Sequence, residues 1–111
     1  MLAARARQLF DAHRHKTLAT LRSDGSPRIS GIEVEFADGE VWLGMMPGSV
    51  KARDLGRDPR LALHSASDDP PEADPSSWSG DAKLAGHAVE VVGRRGAGPP
   101  SQRFRVRVTE V

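Results

Sequence analysis

Residues 41–64 read VWLGMMPGSVKARDLGRDPRLALH, and this stretch contains the most informative pattern of apolar, turn and helical residues in the chain. Two short apolar runs, Val41–Met46 and Leu61–His64, stand at its ends, with a Pro-Gly turn and a helical segment between them. Short apolar runs bounded by turn residues are typical of strands. The stretch therefore predicts a strand, a short helix and a second strand in immediate succession.

The ends of the short helix are marked by particular residues. Ser49 carries a hydroxyl at the position where an N-cap residue is expected. The helix is predicted to end near Gly56, because Asp58-Pro59 does not allow it to continue. A helix of about two turns is too short to be stable alone, so packing against the strands must hold it.

The first turn of this helix has an unusual charge pattern. It contains Lys51 and Arg53, and Asp54 is the acidic residue nearby. Cations are unfavourable at the positive end of a helix dipole. An anion bound there would explain the pattern, held by the Ser49 hydroxyl, the Lys51 ammonium and free backbone N–H groups. The residues alone leave two interpretations open: this anion site, or a solvated helix with incidental basic residues.

Composition sets limits on the classes of function. The 111 residues fit one domain, 1–111, and the net charge of +1 creates no strong field for nucleic acid or an acidic membrane. Aromatic residues make up 5% of the chain, which argues against base stacking. The chain has no cysteine, so disulfides, thiolate catalysis and cysteine-bound zinc are excluded.

The amino terminus reads MLAARARQLFDAHRHK and is too charged for a secretory signal. No apolar run in the chain approaches the length of a membrane span. The sequence therefore predicts a cytoplasmic protein that binds neither nucleic acid nor a membrane.

An amphipathic helix of about three turns is expected near the amino terminus. Its apolar stripe comprises Leu2, Ala6, Leu9, Phe10 and His13. His13 and His15 are two residues apart and lie on different helix faces, without a carboxylate cluster beside them. No metal site is predicted.

Three strands joined by tight turns follow this helix. The strands are Lys16–Arg22, Arg28–Phe36 and Val41–Met46, with Gly25 and Asp38-Gly39 in the turns. The second strand alternates, so that Ser30, Ile32, Val34 and Phe36 share one face, which is taken as the inward one. These segments predict an antiparallel meander.

The second half of the chain supplies three more strands. They are Arg60–Ser65, Ala82–Val92 with a bend or bulge at Gly86, and a strand in which Phe104, Val106 and Val108 alternate with Arg103, Arg105 and Arg107. Two irregular segments separate them: the Pro- and Asp-rich loop Ala66–Asp81, where Trp78 is expected to pack back on the domain at least half buried, and the Gly/Pro loop Gly93–Gln102.

Six short strands with two helices predict a mainly β protein, a small antiparallel barrel. The sequence also resembles the pyridoxamine 5′-phosphate oxidase-like family of split-barrel flavoproteins over nearly its whole length. The most specific pieces are GSVKARDL at 48–55 and DPRLAL at 58–63. The resemblance implies a six-stranded split β-barrel with an N-terminal helix and a short helix after the third strand. It also implies a homodimer that binds FMN, or the deazaflavin F420, in clefts between subunits.

The resemblance implies a set of cofactor-binding residues. Ser49 and Lys51 match positions that grip the cofactor phosphate, which favours the anion site over the solvated helix. The remaining positions lie along the cofactor: Ser30 and Ile32 beside the flavin, Gly44 and Met45 near its ring and ribityl chain, and Lys83 as a weaker candidate.

Several positions depart from the family pattern. Val50 stands where many relatives have a phosphate-binding arginine, and Glu35 stands where the vitamin-B6 oxidases have a basic residue. The segment Gly93–Gln102 is short, and the chain lacks the C-terminal stretch that helps those oxidases bind pyridoxamine phosphate. Vitamin-B6 oxidation itself is therefore not expected, and the chain is read as a compact member or a piece of a longer one.

Two functions remain open. The first is an FMN- or F420-dependent oxidoreductase acting on a small molecule, in which the cofactor carries the redox chemistry and the protein orients it. The second is a non-catalytic flavin-binding or dimeric interaction module of the same fold. The missing arginine at Val50 keeps the second function open, and no catalytic acid or base is assigned.

Overall fold

Six antiparallel strands close into a barrel in a computed structural model that describes residues 3–92 and 101–111. The order around the barrel is β1-β2-β3-β6-β5-β4, which confirms the predicted mainly β barrel. The elements are α1 (Ala4–Asp11), β1 (His15–Leu21), β2 (Pro27–Ala37), β3 (Glu40–Met45), α2 (Val50–Arg57), β4 (Arg60–His64), β5 (Lys83–Val91) and β6 (Gln102–Glu110).

The predicted meander is present in β1, β2 and β3. The turn between β2 and β3 is Asp38-Gly39, with φ of 56° and 74°, and Ala37 pairs with Glu40 across it. Two consecutive residues with positive φ form the tight hairpin turn whose twist matches that of the strands. The turn therefore fixes the register and places Ile32, Val34 and Phe36 on the same side of β2.

The barrel is closed by strand pairs between residues that are far apart in the chain. β6 pairs with both β3 and β5, and β1 pairs with β4. The register between β5 and β6 shifts between Ala85 and Gly86, confirming the predicted bulge. A Cβ on Gly86 would lie 2.4 Å from the backbone oxygen of Arg107, so only glycine permits the two strands to approach this closely.

The core lies inside the barrel and is closed by the two helices. Phe10 of α1 is fully buried, and Ala52 and Leu55 of α2 face the barrel. The strands contribute alternate residues to the core, including Leu18, Ile32, Leu43, Leu63, Leu84, Phe104 and Val106. Burial of this apolar surface stabilises both short helices.

The first helix is shorter than the predicted three turns. It spans eight residues, and Ala3 at its N-cap gives no side-chain hydrogen bond. His15 already belongs to β1, where it pairs with Glu33. Strand pairing therefore ends the helical pattern earlier than the apolar spacing alone indicates. No helix of the described ranges is long and apolar enough to cross a membrane.

The loop after β4 is mostly irregular, as predicted, but it includes a short 3₁₀ turn at Pro75–Ser77. Trp78 follows this turn; its side chain is 41% exposed, and its Nε1 donates a 2.5 Å hydrogen bond to the Asp68 carbonyl. The prediction of a half-buried tryptophan is confirmed. The predicted loop Gly93–Gln102 lies outside the described residues, apart from Ser101 and Gln102.

Candidate functional site

A groove of about 420 Å³ lies where β2, β3 and the start of α2 meet. It is lined by both polar and apolar residues: His15, Gly31, Ile32, Glu33, Gly44, Met45, Met46, Ser49 and Lys51. Five of the residues predicted from the sequence are therefore brought together, namely Ile32, Gly44, Met45, Ser49 and Lys51.

Ser49 caps α2 as predicted. Its hydroxyl oxygen accepts a 3.3 Å hydrogen bond from the backbone N–H of Ala52, and its carbonyl accepts one of 3.0 Å from Arg53. The N–H groups of Val50 and Lys51 precede any acceptor inside the helix. The start of α2 therefore presents donors beside the groove, the arrangement that binds anions.

Lys51 holds its ammonium at the rim of this groove. The Nζ atom donates a 2.7 Å hydrogen bond to the backbone oxygen of Gly31 on β2. An ammonium has three donors, so two remain for a ligand in the groove. The bond also links the first turn of α2 to β2, which places the positive charge next to the helix start.

Three of the predicted residues do not line the groove. Val50 is 45% exposed. Ser30 lies on β2 with a buried hydroxyl that has no hydrogen-bond partner in the described ranges. Lys83 borders a different cavity, between β4 and β5, with Glu110. The roles assigned to these three side chains stay predictions.

The groove has open space where a flat ligand would need it. A Cβ on Gly31 or Gly44 would meet no heavy atom within 4 Å. The volume lies within the range typical of small-molecule and cofactor sites. The donors at α2, the open floor at the two glycines and the apolar wall of Ile32 and Met45 together fit a phosphate-bearing aromatic cofactor.

A second cavity, of about 330 Å³, adjoins the groove and shares Glu33 and Gly44 with it. Trp42 and Arg103 form one wall, and the Arg103 guanidinium carbon lies 4.4 Å from the centre of the Trp42 ring. Such stacking is a cation–π contact. Glu35 lies on the same lining.

Two residues that line this second cavity each carry a buried donor without an acceptor. Neither Trp42 Nε1 nor Arg103 Nη2 has a hydrogen-bond partner in the part of the chain that the structure describes. Sequence reasoning missed this pair. The available signal was an aromatic residue on the outward face of β3, between the inward-facing Val41 and Leu43, opposite the arginine row of β6.

An ion-pair cluster behind α2 was also missed. Asp54 is 1% exposed, and its Oδ2 accepts hydrogen bonds of 2.8 Å from Thr20 and 2.7 Å from Arg28. Arg57 Nη2 lies 3.3 Å from Oδ1. Burial acts to raise the pKa of this carboxyl, but the hydrogen bonds from Arg28, Thr20 and Arg57 outweigh it and lower the pKa.

Each of the two histidines near the amino terminus faces a different carboxylate. His13 Nε2 is 3.2 Å from Asp68 Oδ1, and His15 Nε2 is 3.8 Å from Glu33 Oε1. No group of three His, Cys, Asp or Glu side chains in the described ranges could hold a metal ion.

The family model for pyridoxamine 5′-phosphate oxidase matches residues 2–110 of this chain. The chain matches none of the curated proteins at a significant level.

Solved structures share the fold. A conserved hypothetical protein from Mycobacterium tuberculosis is 23% identical with a TM-score of 0.75, over 97% of this chain and 81% of that one. An F420 reductase is 15% identical with a TM-score of 0.64, over 97% of this chain and 96% of that one. The haem storage protein HutZ from Vibrio cholerae is 13% identical with a TM-score of 0.64, over 95% and 88%. Likeness at these identities shows the fold alone.

Proposed function

The chain belongs to the pyridoxamine 5′-phosphate oxidase family, and on that premise we propose that it binds FMN and acts as a flavin-dependent oxidoreductase on a small molecule. The observation that carries the proposal is the groove in which the start of α2, the Lys51 ammonium and the open floor at Gly44 come together. Bound FMN would supply the electron transfer, and the protein would supply binding and orientation.

The phosphate end is assigned to the start of α2. The two free donors of the Lys51 ammonium and the first N–H groups of the helix provide charge-assisted hydrogen bonds. The Ser49 hydroxyl accepts from Ala52 and still has its own proton to donate. Met46, 79% exposed, extends the groove on the solvent side.

The ring end is assigned to Gly31 and Gly44. A side chain at either position would occupy the space in which the ring would lie. Ile32 and Met45 are buried and form the apolar wall beside it. An apolar wall excludes water from the ring and strengthens the hydrogen bonds made there.

The proposed substrate is not pyridoxamine phosphate. Glu33 and Glu35 both line the cavity beyond Gly44, and among the described residues of its lining the cation is Arg103. Glu35 stands where the vitamin-B6 oxidases have a basic residue, and an acidic group there is unfavourable to a phosphate dianion. This difference in charge supports a substrate without a phosphate.

Val50 favours a second candidate. A partly exposed valine at the first helical position gives no charge to a phosphate, so FMN would bind more weakly than to a site with an arginine there. F420 as cofactor, or a flavin-binding module without turnover, then remains the alternative.

Binding measurements separate these candidates. Purified protein titrated with FMN should show saturable quenching of flavin fluorescence at one FMN per chain. Riboflavin, which lacks the phosphate, should bind at least about tenfold more weakly, since at least one charge-assisted hydrogen bond is lost. If only F420 binds saturably, the cofactor is the deazaflavin and not FMN. Equal affinity for FMN and riboflavin would contradict the assignment of a phosphate site at the start of α2.

A further inference from the structure

Asp54 is a charged residue on the buried face of α2. Its side chain is 1% exposed, and the other buried residues of the helix are Ala52 and Leu55. Apolar contact is non-directional, so these two residues hold the helix against the barrel without fixing its rotation or its position along its axis. Hydrogen bonds depend steeply on distance and angle, so the carboxylate of Asp54 can fix both.

The carboxylate of Asp54 receives hydrogen bonds from two adjacent strands. Thr20 of β1 and Arg28 of β2 are partners in the strand register, and both donate to Oδ2, at 2.8 and 2.7 Å. Arg57 of the same helix donates to Oδ1 at 3.3 Å and to the Leu21 oxygen of β1 at 3.3 Å. These donors tie the middle of α2 to the paired strands.

The start of α2 is placed by this attachment. Lys51 lies three residues before Asp54, and residues at this spacing lie on the same side of a helix. Lys51 Nζ contacts the Gly31 oxygen and Asp54 contacts Arg28, so α2 runs antiparallel to the beginning of β2. In a helix of eight residues, a rotation or shift at Asp54 moves the first turn as well. The first N–H groups and the Lys51 ammonium therefore stand where Asp54 puts them.

Stability alone is a weak reason for a carboxylate at this position. A buried ion pair gains little over well-packed apolar residues of the same volume, because desolvation of the charges offsets their attraction. The pair differs from an apolar contact in its dependence on direction. An anion site needs this property, since charge-assisted hydrogen bonds form over a narrow range of about 2.7–2.9 Å.

We propose that Asp54 is a positioning residue of the phosphate site. Through Thr20 and Arg28 its carboxylate fixes the rotation and axial position of α2, so that the first N–H groups and the Lys51 ammonium converge on a phosphate monoester. This inference rests on the proposed function, because the phosphate concerned is that of FMN. Asp54 acts through the helix and not by contact, since it is not among the described residues that line the groove.

The ratio of the affinities for FMN and riboflavin tests the proposal, because the two ligands differ by the phosphate alone. In the parent protein, FMN should bind at least about tenfold more tightly than riboflavin. Asp54→Asn should lower FMN affinity about tenfold and leave riboflavin affinity unchanged. Fluorescence titration measures both affinities, at a temperature at which circular dichroism shows that the variant is folded.

The sign of the effect separates positioning from electrostatics. Asp54→Asn removes a negative charge within one helical turn of Lys51, which on charge alone should tighten FMN binding. Thr20→Val removes one donor to Asp54 without changing any charge, and should weaken FMN binding about threefold with riboflavin unchanged. This second variant decides the question if Asp54→Asn does not fold.

Asp58→Asn is the matched control. It makes the same chemical change just after α2, where the carboxylate pairs with Arg60 at 2.7 Å and not with β2. This variant should leave the ratio of the two affinities unchanged, because the start of the helix stays attached through Asp54.

Three results would overturn the positioning role: an unchanged ratio in both Asp54→Asn and Thr20→Val, equal weakening of FMN and riboflavin as in a merely loosened fold, or tighter binding of FMN to Asp54→Asn. Equal affinity of the parent protein for FMN and riboflavin would overturn the phosphate site and the positioning role together. Failure of the proposed function is therefore distinguishable from failure of this inference.

Discussion

Arg28 Nε lies 2.7 Å from Asp54 Oδ2, and this ion pair fastens the beginning of β2 to the middle of α2. A second contact lies further along the same strand, where Lys51 Nζ donates to the Gly31 oxygen. The helix that presents its donors to the groove is therefore fixed to β2 at two points. The Lys51 contact lies at the rim of the groove and the Asp54 contact lies behind α2, so each can be tested by a separate substitution.

Asp54→Asn should destabilise the fold markedly. The change leaves the partly buried Arg28 without its anion, and breaking a buried pair costs about 3–5 kcal/mol. Solvent reaches part of Arg28, so the expected loss in free energy of unfolding is smaller, about 2 kcal/mol. Urea denaturation measures it. Asp69→Asn, in the exposed loop, is the control and should unfold as the parent does; an equal effect of both substitutions would contradict the role of the cluster.

The loss of stability at low pH should depend on two carboxyl groups in and after α2. The pKa of Asp54 is lowered by its hydrogen bonds against the effect of burial, and hydrogen bonds from Arg60 lower the pKa of Asp58 to about 2. A carboxyl whose pKa is depressed by folding stabilises the fold at pH values above its pKa in the unfolded chain, about 3.9 for Asp. This stabilisation is lost as the pH falls through the pKa of the folded state. Thermal midpoints measured from pH 6 downward should drop below about pH 4, with a shallower slope in Asp54→Asn.

Lys51→Glu should weaken FMN binding at least about tenfold, because one hydrogen bond to a charged partner is replaced by repulsion. The lost bond to Gly31 costs about 1 kcal/mol, and the more favourable charge in the first helical turn offsets part of that. Fluorescence titration and thermal unfolding of the same variant measure both effects. Arg53→Glu makes the same charge change in the same turn, outside the groove, and should retain FMN affinity.

Substitution of two glycines by alanine should change the free energy of unfolding in opposite directions. Gly86→Ala forces a Cβ against the backbone oxygen of Arg107, which cannot move away, and should lower the free energy of unfolding by about 1–3 kcal/mol. Gly56→Ala, in α2 with no atom within 4 Å, should raise it by about 0.5–1 kcal/mol. Denaturation of the two variants beside the parent decides this, and a neutral Gly86→Ala would show that the bulge is adaptable.

We expect a C2 homodimer, the commonest closed assembly. Ile29 and Met46 leave large apolar side chains in solvent, and a second copy of the chain would cover such surface. Light scattering at micromolar concentration should give twice the chain mass of 12.0 kDa. The mass of a single chain, measured both with and without FMN, would contradict the expected homodimer.

Local patterns were enough to predict most of the barrel. Alternation in β2 and β6, the Asp38-Gly39 turn and the Ser49 cap each act within a few residues, so the sequence displays them directly. The end of α1 was not predictable in the same way, because the pairing of His15 with Glu33 competes with the helix and comes from a distant strand.

The parts of the site that escaped prediction depend on neighbours far apart in the chain. Asp54 reads as a solvent-facing residue of a polar helix until the closed barrel places Thr20 and Arg28 against it. Trp42 and Arg103 meet only because β6 returns to pair with β3. Charge and aromatic content alone do not reveal such contacts, since they depend on the register of strands about sixty residues apart.

The double attachment of α2 to β2 has a kinetic consequence. The two walls of the groove cannot part without breaking both the Lys51–Gly31 and the Asp54–Arg28 contacts, so entry through a transient gap between helix and strand would be slow. A ligand that enters from the open solvent side needs no such gap. Observed association rates should then rise linearly with FMN concentration in a single phase, as for a receptor whose binding-competent form is already the dominant one.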